Sequence, residues 1–550
     1  MKFTQLKASS TIPELVHKSA DAYGHRVAFS HSGSALTYQQ WDYFSSQLAA
    51  YLQFTGTLEK GDRFAVLLPN LLQFPIALVG GLKAGMVVVN INPSHNAYEI
   101  KHILEDSGAK VLLVWDQLLP VVADILPFTS VKEVMLTKTL DMHAFSQRAF
   151  AGLKRSDADV VALRVDIPHP IRFRKALRIG QAELYRPESI QADDLALIQY
   201  TGGTTGLSKG SMLKHEHLLA NMRQLHQVFE PYMEYGAERV VAPLPLYHIY
   251  SLTLHCLMMT AFGAHMALIT DPKDLDRLTH EFARHKCSFF AGTNALFVNL
   301  CHHLPFSQLD FSALKVTCSG GAPLSESTNE LWYHMTGNRI IEGYGLTEAS
   351  PVVAAHLPGD DKAGTVGKPL PDTEFKILNE EGDTLGYGET GELWIKGPQV
   401  MSGYWNRPDL NARVFDGEWF STGDIARSTI DGYLQIVDRQ KDVIIVSGFP
   451  VYPSEVERII SCHPDVRECA VIAMPDEQTG QLIKLFVVSS NPRLSVREIR
   501  DYCRERLTRY KVPKLVEFRK SLPHTPVGKV LRRQLRDEEL AKSSRQAMYS

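Results

Sequence analysis

Residues 63–93, RFAVLLPNLLQFPIALVGGLKAGMVVVNINP, carry the fold in miniature. RFAVLLPN is an apolar run of strand length, LLQFPIALVGGLKAG is too long for a strand and reads as a helix, and MVVVNINP follows as a second strand. Strands that are apolar on both faces and separated by a helix predict parallel pairing, with helices covering both sides of the sheet. Upstream, Thr37 and Gln40 form a capping box that opens an amphipathic run to about Leu52. Downstream come a helix to Ser107 and the strand KVLLVW. A second such round follows in EFARHKCSFFAGTNALFVNL, LKVTCSGGAP, a helix and NRIIEGYG, and from Thr373 short strands broken by Gly and Asp take over. The expected class is α/β: a large N-terminal domain of doubly wound, mostly parallel sheets with a small β-rich subdomain, then a small mobile α+β C-terminal domain.

At 550 residues the chain exceeds one compact core, and 44% hydrophobic against 22% charged residues excludes a disordered, collagenous or coiled-repeat protein. Fifty-eight Lys and Arg face 61 Asp and Glu, a net charge of −3, which provides no bulk field for nucleic acid. Seven cysteines without a Cys-x-x-Cys pair argue against a disulfide framework and fit a reducing cytoplasm; Cys301 precedes His302 and His303 with no second ligand pair at metal spacing. The opening MKFTQLKASSTIPELVHKSA lacks the apolar core of a secretory signal. Val240 to Thr270 has no acid, Lys or Arg, but Pro243, Pro245, His248, His255 and His265 within it favour buried helix and strand over a membrane span.

The polar run Asp438-Arg439-Gln440-Lys441-Asp442 marks the expected boundary between residues 1–437, whose β-rich part is 373–437, and residues 438–550. From Asp438 onward 21 Lys and Arg stand against 15 Asp and Glu, so +6 faces −9, and such asymmetry is a weak pointer to an anion between the two units.

Tyr200-Thr201-Gly202-Gly203-Thr204-Thr205-Gly206-Leu207-Ser208-Lys209-Gly210 follows the strand-like LALIQY and precedes a helix beginning near His215. Backbone N–H groups freed by glycine, threonine hydroxyls and one lysine suit an oxyanion-rich ligand such as a triphosphate, although Walker A spacing is absent. Gly386-Tyr387-Gly388-Glu389-Thr390-Gly391 matches the dinucleotide fingerprint but leads into the strand-like ELWIKG, so it reads as turns. In Glu342-Gly343-Tyr344-Gly345-Leu346-Thr347-Glu348 the tyrosine suits stacking on a base and the carboxylate suits Mg2+; alone, the run reads equally as an acidic helix start. Asp424, in Ser421-Thr422-Gly423-Asp424, is either a ribose acceptor or an Asx-turn. Lys529, in Pro523-His524-Thr525-Pro526-Val527-Gly528-Lys529, reads by itself as solvated, and His248 by itself as a structural histidine.

In this order, and over the whole chain, these runs resemble the adenylate-forming superfamily of acyl-CoA synthetases, luciferases and peptide-synthetase adenylation domains. QYTGGTTG, PLPLYHIYSLT, KGPQVMSGYW, WFSTGDIA with IVDRQKD, VSGFPVYPSEVE and YKVPKLVEFR are most similar to the bacterial long-chain fatty-acid–CoA ligase group. The resemblance implies a fatty acid, ATP and CoA as substrates, with Mg2+ as cofactor, and acyl-AMP as intermediate, in fatty-acid uptake and degradation. It implies that Thr201, Gly202, Gly203, Thr204, Thr205, Gly206 and Lys209 hold the β- and γ-phosphates. Gly320, Gly321 and Ala322 with Tyr344 enclose the adenine, Glu342, Gly343 and Gly345 belong to the ATP site beside them, Thr347 binds phosphate, Glu348 is the metal ligand, and Asp424 with Arg439 takes the ribose. Lys529 reaches the carboxylate and α-phosphate, His248 lines the carboxylate site, Asp438 is the hinge, and Ser447, Gly448 and Phe449 line the CoA channel in a second pose. Ser208 stands where relatives commonly have proline, and Pro450 where asparagine is usual, which bears on thioester geometry and not on adenylation.

Tyr247, Ile249, Phe297, Val298 and Cys318 are expected to wall the acyl pocket, by proximity to the motifs alone. Arg148 to Arg178 holds eight Arg and Lys against three acids, interleaved with Phe150, Ile167, Ile171, Phe173 and Leu177. Two readings stand: a solvated connector, or contact with an anionic membrane on its inner face. Competing functions are a medium-chain or aromatic acyl-CoA ligase, an acyl-AMP ligase (whose insertion IVDRQKDVIIVSG has no room for), a peptide-synthetase module, a luciferase-like oxygenase and a non-catalytic membrane-associated fatty-acid carrier. The intact loop, Glu348 and Lys529 argue against the carrier. Oligomeric state, including a homodimer, is open.

Overall fold

The structure, a computed structural model, describes residues 9–55, 58–143, 167–201, 208–360, 362–476, 478–525 and 528–549. The expected strand–helix alternation is present. Arg63–Leu67, Gln73–Lys83, Val87–Asn90, Ala97–Ser107 and Val111–Trp115 succeed one another, and the three strands pair in parallel. They lie in a seven-stranded sheet that runs Pro170–Arg172, Glu133–Thr137, Val111–Trp115, Arg63–Leu67, Val87–Asn90, Leu195–Thr201, Lys209–Lys214 from edge to edge. Only its last pairing is antiparallel.

The second round builds a nine-stranded sheet. Val316–Ser319, Phe289–Gly292, Arg239–Ala242 and His265–Leu268 are parallel at its centre, and antiparallel strands close both edges. Helix Gln73–Lys83 is buried along its whole length. Its paired glycines explain how: a Cβ on Gly80 would stand 2.8 Å from Leu48, and one on Gly81 2.7 Å from Phe64. The helix is thus pressed between helix Tyr38–Phe54 and a sheet strand with no room for a methyl group. The Thr37–Gln40 capping box opens Tyr38–Phe54 as expected.

Val240 to Thr270 resolves into a strand, a short irregular helix through Leu252–Met258, and a second strand; among the described residues no helix is long and apolar enough to cross a membrane. Residues 386–391 form turns before the strand Gly391–Lys396, in a five-stranded antiparallel sheet with Glu374–Leu378, Phe415–Asp416, Trp419–Ser428 and Leu434–Arg439.

Beyond it a third core belongs to the C-terminal residues alone. In strand Val466–Asp476, Cys469 and Val471 face one apolar cluster with Ile444, Val456 and Ile499, while Ala470 and Ile472 face another with Leu522 and Leu535. A two-residue period with helices on both faces accounts for this small α+β domain.

The helix expected near His215 begins there, after strand Lys209–Lys214, which pairs antiparallel with Leu195–Thr201. Asp438, the expected boundary residue, lies inside strand Leu434–Arg439, opposite Ile425. Phe173 and Leu177, offered above to a lipid surface, are buried, as is Ile167, because helix Phe173–Ala182 packs its apolar face onto Tyr38–Phe54. Residues 148–166 of that segment lie partly or wholly outside the described residues, Phe150 among them.

Candidate active site

A cavity of about 2890 Å3 opens between the large domain and the small one. Its floor is set by the ends of parallel strands, where the chain must leave the sheet and side chains diverge. Cys318 and Ser319 finish one strand and Gly320 and Gly321 follow it; Glu342, Gly343, Tyr344 and Gly345 close the next, and Thr347 and Glu348 form the turn beyond. Thr201 and Lys209, the facing ends of the hairpin stems, border the same space. Gly202, Gly203, Thr204, Thr205 and Gly206 lie outside the described residues.

Charge concentrates at the domain junction. Asp424 is only 2% exposed, yet its two oxygens are engaged: one accepts from the Tyr344 hydroxyl at 2.5 Å and the other pairs with Arg439 Nε at 2.6 Å. Register produces this, since Asp424 and Arg439 are cross-strand partners. Thr422 shapes the turn by accepting the Asp424 N–H. Glu348 accepts a hydrogen bond from the Tyr404 hydroxyl at 2.7 Å, and the Lys209 ammonium lies 4.8 Å over the Tyr404 ring. Burial raises the Glu342 carboxyl to about 7, and Oε1 accepts the Leu324 N–H at 3.1 Å.

From the small domain comes Lys529, at the turn of a hairpin in which Thr525 N–H donates to the Lys529 carbonyl at 2.7 Å. Its side chain borders the cavity and stays open to solvent. The surrounding protein, followed by the charges of Arg439 and Arg532, draws the ammonium down to about 8. Asp438 sends its carboxylate into the small domain, where it accepts the Ser454 N–H at 2.6 Å at the start of helix Pro453–Ser461 and lies 3.4 Å from Arg532.

The cavity turns apolar away from these charges. His248 stands near the transition, accepting the Tyr250 N–H at 3.3 Å, and burial lowers its imidazole to about 4, so it is neutral at pH 7. Tyr247, Ile249, Val298 and Cys318 line the cavity wall, and Leu225, Phe229, Leu254 and Val352 extend it further.

Phe297 does not belong to this wall. It is fully buried on another face of its helix, edge-on to Trp332 at 4.9 Å and Phe290 at 5.9 Å. Ala322 is half-exposed and not part of the lining. Ser447, Gly448 and Phe449 lie outside the cavity: the first two make the turn between strands Ile444–Val446 and Phe449–Val451, and Phe449 stacks on Tyr510 at 5.0 Å.

Sequence reasoning assigned no part to Tyr404, although KGPQVMSGYW was singled out. Gln199, which donates to the Tyr247 carbonyl and accepts from Asn90, carried no signal at all.

Strand ends that surround a nucleotide-sized charged pocket, beside an apolar chamber and beneath a small domain that supplies a lysine, define an enzyme that activates carboxylates with ATP. The chain belongs to the AMP-binding enzyme family, whose profile matches residues 16–405; the profile of that family's C-terminal domain matches residues 455–529.

Among individual proteins, it is 41% identical over 538 residues to the long-chain-fatty-acid–CoA ligase of Salmonella typhimurium, covering 98% of this chain and 96% of that one. It is 36% identical over 536 residues to the enzyme of the same name from Bacillus subtilis, covering 96% and 95%. A fatty acyl CoA synthetase from Mycobacterium tuberculosis superposes with a TM-score of 0.71 at 28% identity over 97% of this chain and 99% of that one. An anthranilate CoA ligase solved with anthranoyl-AMP superposes with a TM-score of 0.85 at 25% identity, over 99% and 100%.

Proposed function

We propose that the protein is a long-chain fatty-acid–CoA ligase working in the cytoplasm. The fatty carboxylate attacks the α-phosphorus of ATP, giving acyl-AMP and pyrophosphate; the CoA thiol then attacks the acyl carbonyl and expels AMP. The observation that carries this reading is a cavity charged at the domain junction and apolar beyond His248, in a chain about 40% identical to ligases of that name over nearly its full length.

The first step brings two anions together, so neutralising charge is the main task of the protein. Lys529 and Lys209 supply positive charge, and the glycine–threonine hairpin is assigned the β- and γ-phosphates. Thr347 is assigned a hydrogen bond to phosphate. Tyr344, with Gly320 and Gly321 across the cavity, is assigned the adenine, and Asp424 with Arg439 the ribose. No base is required, because a carboxylate is already ionised at pH 7. A neutral His248 at the edge of the apolar chamber adds no second charge there. The hard carboxylate oxygens of Glu348 suit Mg2+, which would shield the triphosphate when bound.

In the present arrangement Lys529 is inside and the Ser447–Phe449 turn is outside, which corresponds to the first step. The second is assigned to a rotation of the small domain about Asp438 that exchanges them. Pyrophosphate release measured across short-, medium- and long-chain acids, with and without CoA, tests the whole reading; turnover confined to aromatic or short acids, or indifferent to CoA, defeats it.

A peripheral membrane contact remains part of the proposal in electrostatic form only. Arg174, Lys175 and Arg178 are exposed while their apolar neighbours face the core. Co-sedimentation with vesicles is expected to need anionic lipid and to weaken with salt; absence from the pellet at low salt removes it.

A further inference from the structure

Helix Ala97–Ser107 is built to an exact length. An Asn96–Glu99 capping box starts it, and Gly108, at φ +62°, ends it. His102 and Asp106 are one turn apart and therefore share a face. That face meets both stems of the glycine–threonine hairpin. On the outgoing stem His102 Nε2 lies 2.9 Å from the Ser208 carbonyl oxygen; a carbonyl only accepts, so the ring nitrogen carries the proton and donates. On the incoming stem the Tyr200 hydroxyl donates to Asp106 Oδ2 at 2.7 Å. Burial, and then Asp106 itself, raise the Tyr200 phenol well above its ordinary value, so it stays a donor.

The same helix end reaches the chain that carries Tyr404. Asp106 Oδ1 pairs with Arg407 at 2.9 Å, and the Asp106 carbonyl accepts the Trp405 indole N–H at 3.0 Å. The Trp405 backbone N–H donates to the Gly210 carbonyl at 2.8 Å, on the outgoing stem.

The ladder between the stems ends at the pair Thr201 and Lys209. Ser208 is the first described residue beyond that pair, so the His102 bond holds the loop side of the hairpin, where the ladder gives no support. Glycine-rich backbone loses much conformational freedom on ordering, and stems that are already fixed reduce the part of that cost left for ligand binding.

We infer that His102 and Asp106 are positioning residues for ATP, bracing the two stems of the hairpin from one helix face so that the stems are already fixed when the triphosphate binds. This rests on the reading of the hairpin as the phosphate site.

The test uses the full-length enzyme, following pyrophosphate release at varied ATP for His102→Ala, His102→Gln, Tyr200→Phe and Thr204→Ala. His102→Ala is expected to raise KM for ATP about tenfold, the scale of one hydrogen bond, with kcat and KM for the fatty acid within about twofold. His102→Gln, which retains a side-chain N–H, is expected to recover most of the loss, and Tyr200→Phe to raise KM for ATP alone. Thr204→Ala reports on the hairpin itself. If Thr204→Ala raises KM for ATP while His102→Ala and Tyr200→Phe do not, the brace is overturned and the hairpin reading survives. If Gln serves no better than Ala, the donated hydrogen bond is overturned. If Thr204→Ala is silent, the phosphate role fails and the brace with it.

Discussion

Gly528 rests against Thr293: a Cβ added to it would stand 3.1 Å from the Thr293 hydroxyl oxygen and 3.4 Å from Ala295, and its φ is +77°. This is where the hairpin bearing Lys529 seats on the large domain. Alanine there meets a disfavoured backbone region and a crowded neighbour together, about 1–3 kcal/mol of strain. Gly528→Ala is therefore expected to slow pyrophosphate release about ten- to a hundredfold. Thioester formation from preformed acyl-AMP should hardly change, because the contact belongs to the first pose. Equal losses in both half-reactions would speak against two poses.

The depressed Lys529 ammonium sets an alkaline limit. Below about pH 8 it is charged and supports attack on ATP; above that value the charge is lost. The kcat/KM for ATP, which reports on the free enzyme, should fall as pH rises through 8. Lys529→Arg keeps its charge throughout, so its lower activity should show no such limb. A limb unmoved in that variant assigns the titration to another group.

Asp424 and Arg439 test the cost of a broken part-buried pair. Asp424→Ala strands the guanidinium and removes the acceptor of Tyr344. Because the Arg439 side chain is 31% exposed, removing its partner costs about 1–3 kcal/mol, less than for a fully buried pair. Thermal melting should show a loss of stability, together with a rise in KM for ATP. Replacing both, as Asp424→Asn with Arg439→Gln, should restore part of the stability but none of the nucleotide binding.

Adjacent helix residues give opposite outcomes in the acyl region. Phe297→Ala opens a hole among Phe290, Trp332 and Phe306 and should cost about 3–5 kcal/mol of stability without altering chain-length preference. Val298→Phe, on the cavity side, should leave stability nearly unchanged and shift preference towards shorter acids. Competition between acids of different length distinguishes the two.

Those two residues also show where the sequence stopped being informative. Consecutive helix positions point about 100° apart, so nearness to the motif could not choose between Phe297 and Val298. The parallel strands were legible because burial on both faces leaves unbroken apolar runs such as VVVN and VLLVW. Strand Lys209–Lys214 was not, because KGSMLK has polar ends and is held by its hairpin partner rather than by an apolar face. The strand that contains Asp438 was hidden in a polar run as well: the aspartate's charge is spent on Ser454 and Arg532, distant in sequence, while its backbone stays in a sheet. Proline at 438 would therefore disturb strand pairing as well as rotation. The charged contacts of the site, Asp424 with Arg439 and Glu348 with Tyr404, depend on register and on long-range packing that no local pattern encodes.

The Tyr404 hydroxyl has a last consequence. Burial, and then Glu348, keep the phenol protonated, so it holds one of the two Glu348 oxygens as a standing occupant. A carboxylate half committed in this way is a poor permanent host for a divalent ion, which would arrive and depart with each nucleotide as a passenger. Dialysed protein should then carry no stoichiometric magnesium, and EDTA without nucleotide should leave its melting temperature where it was.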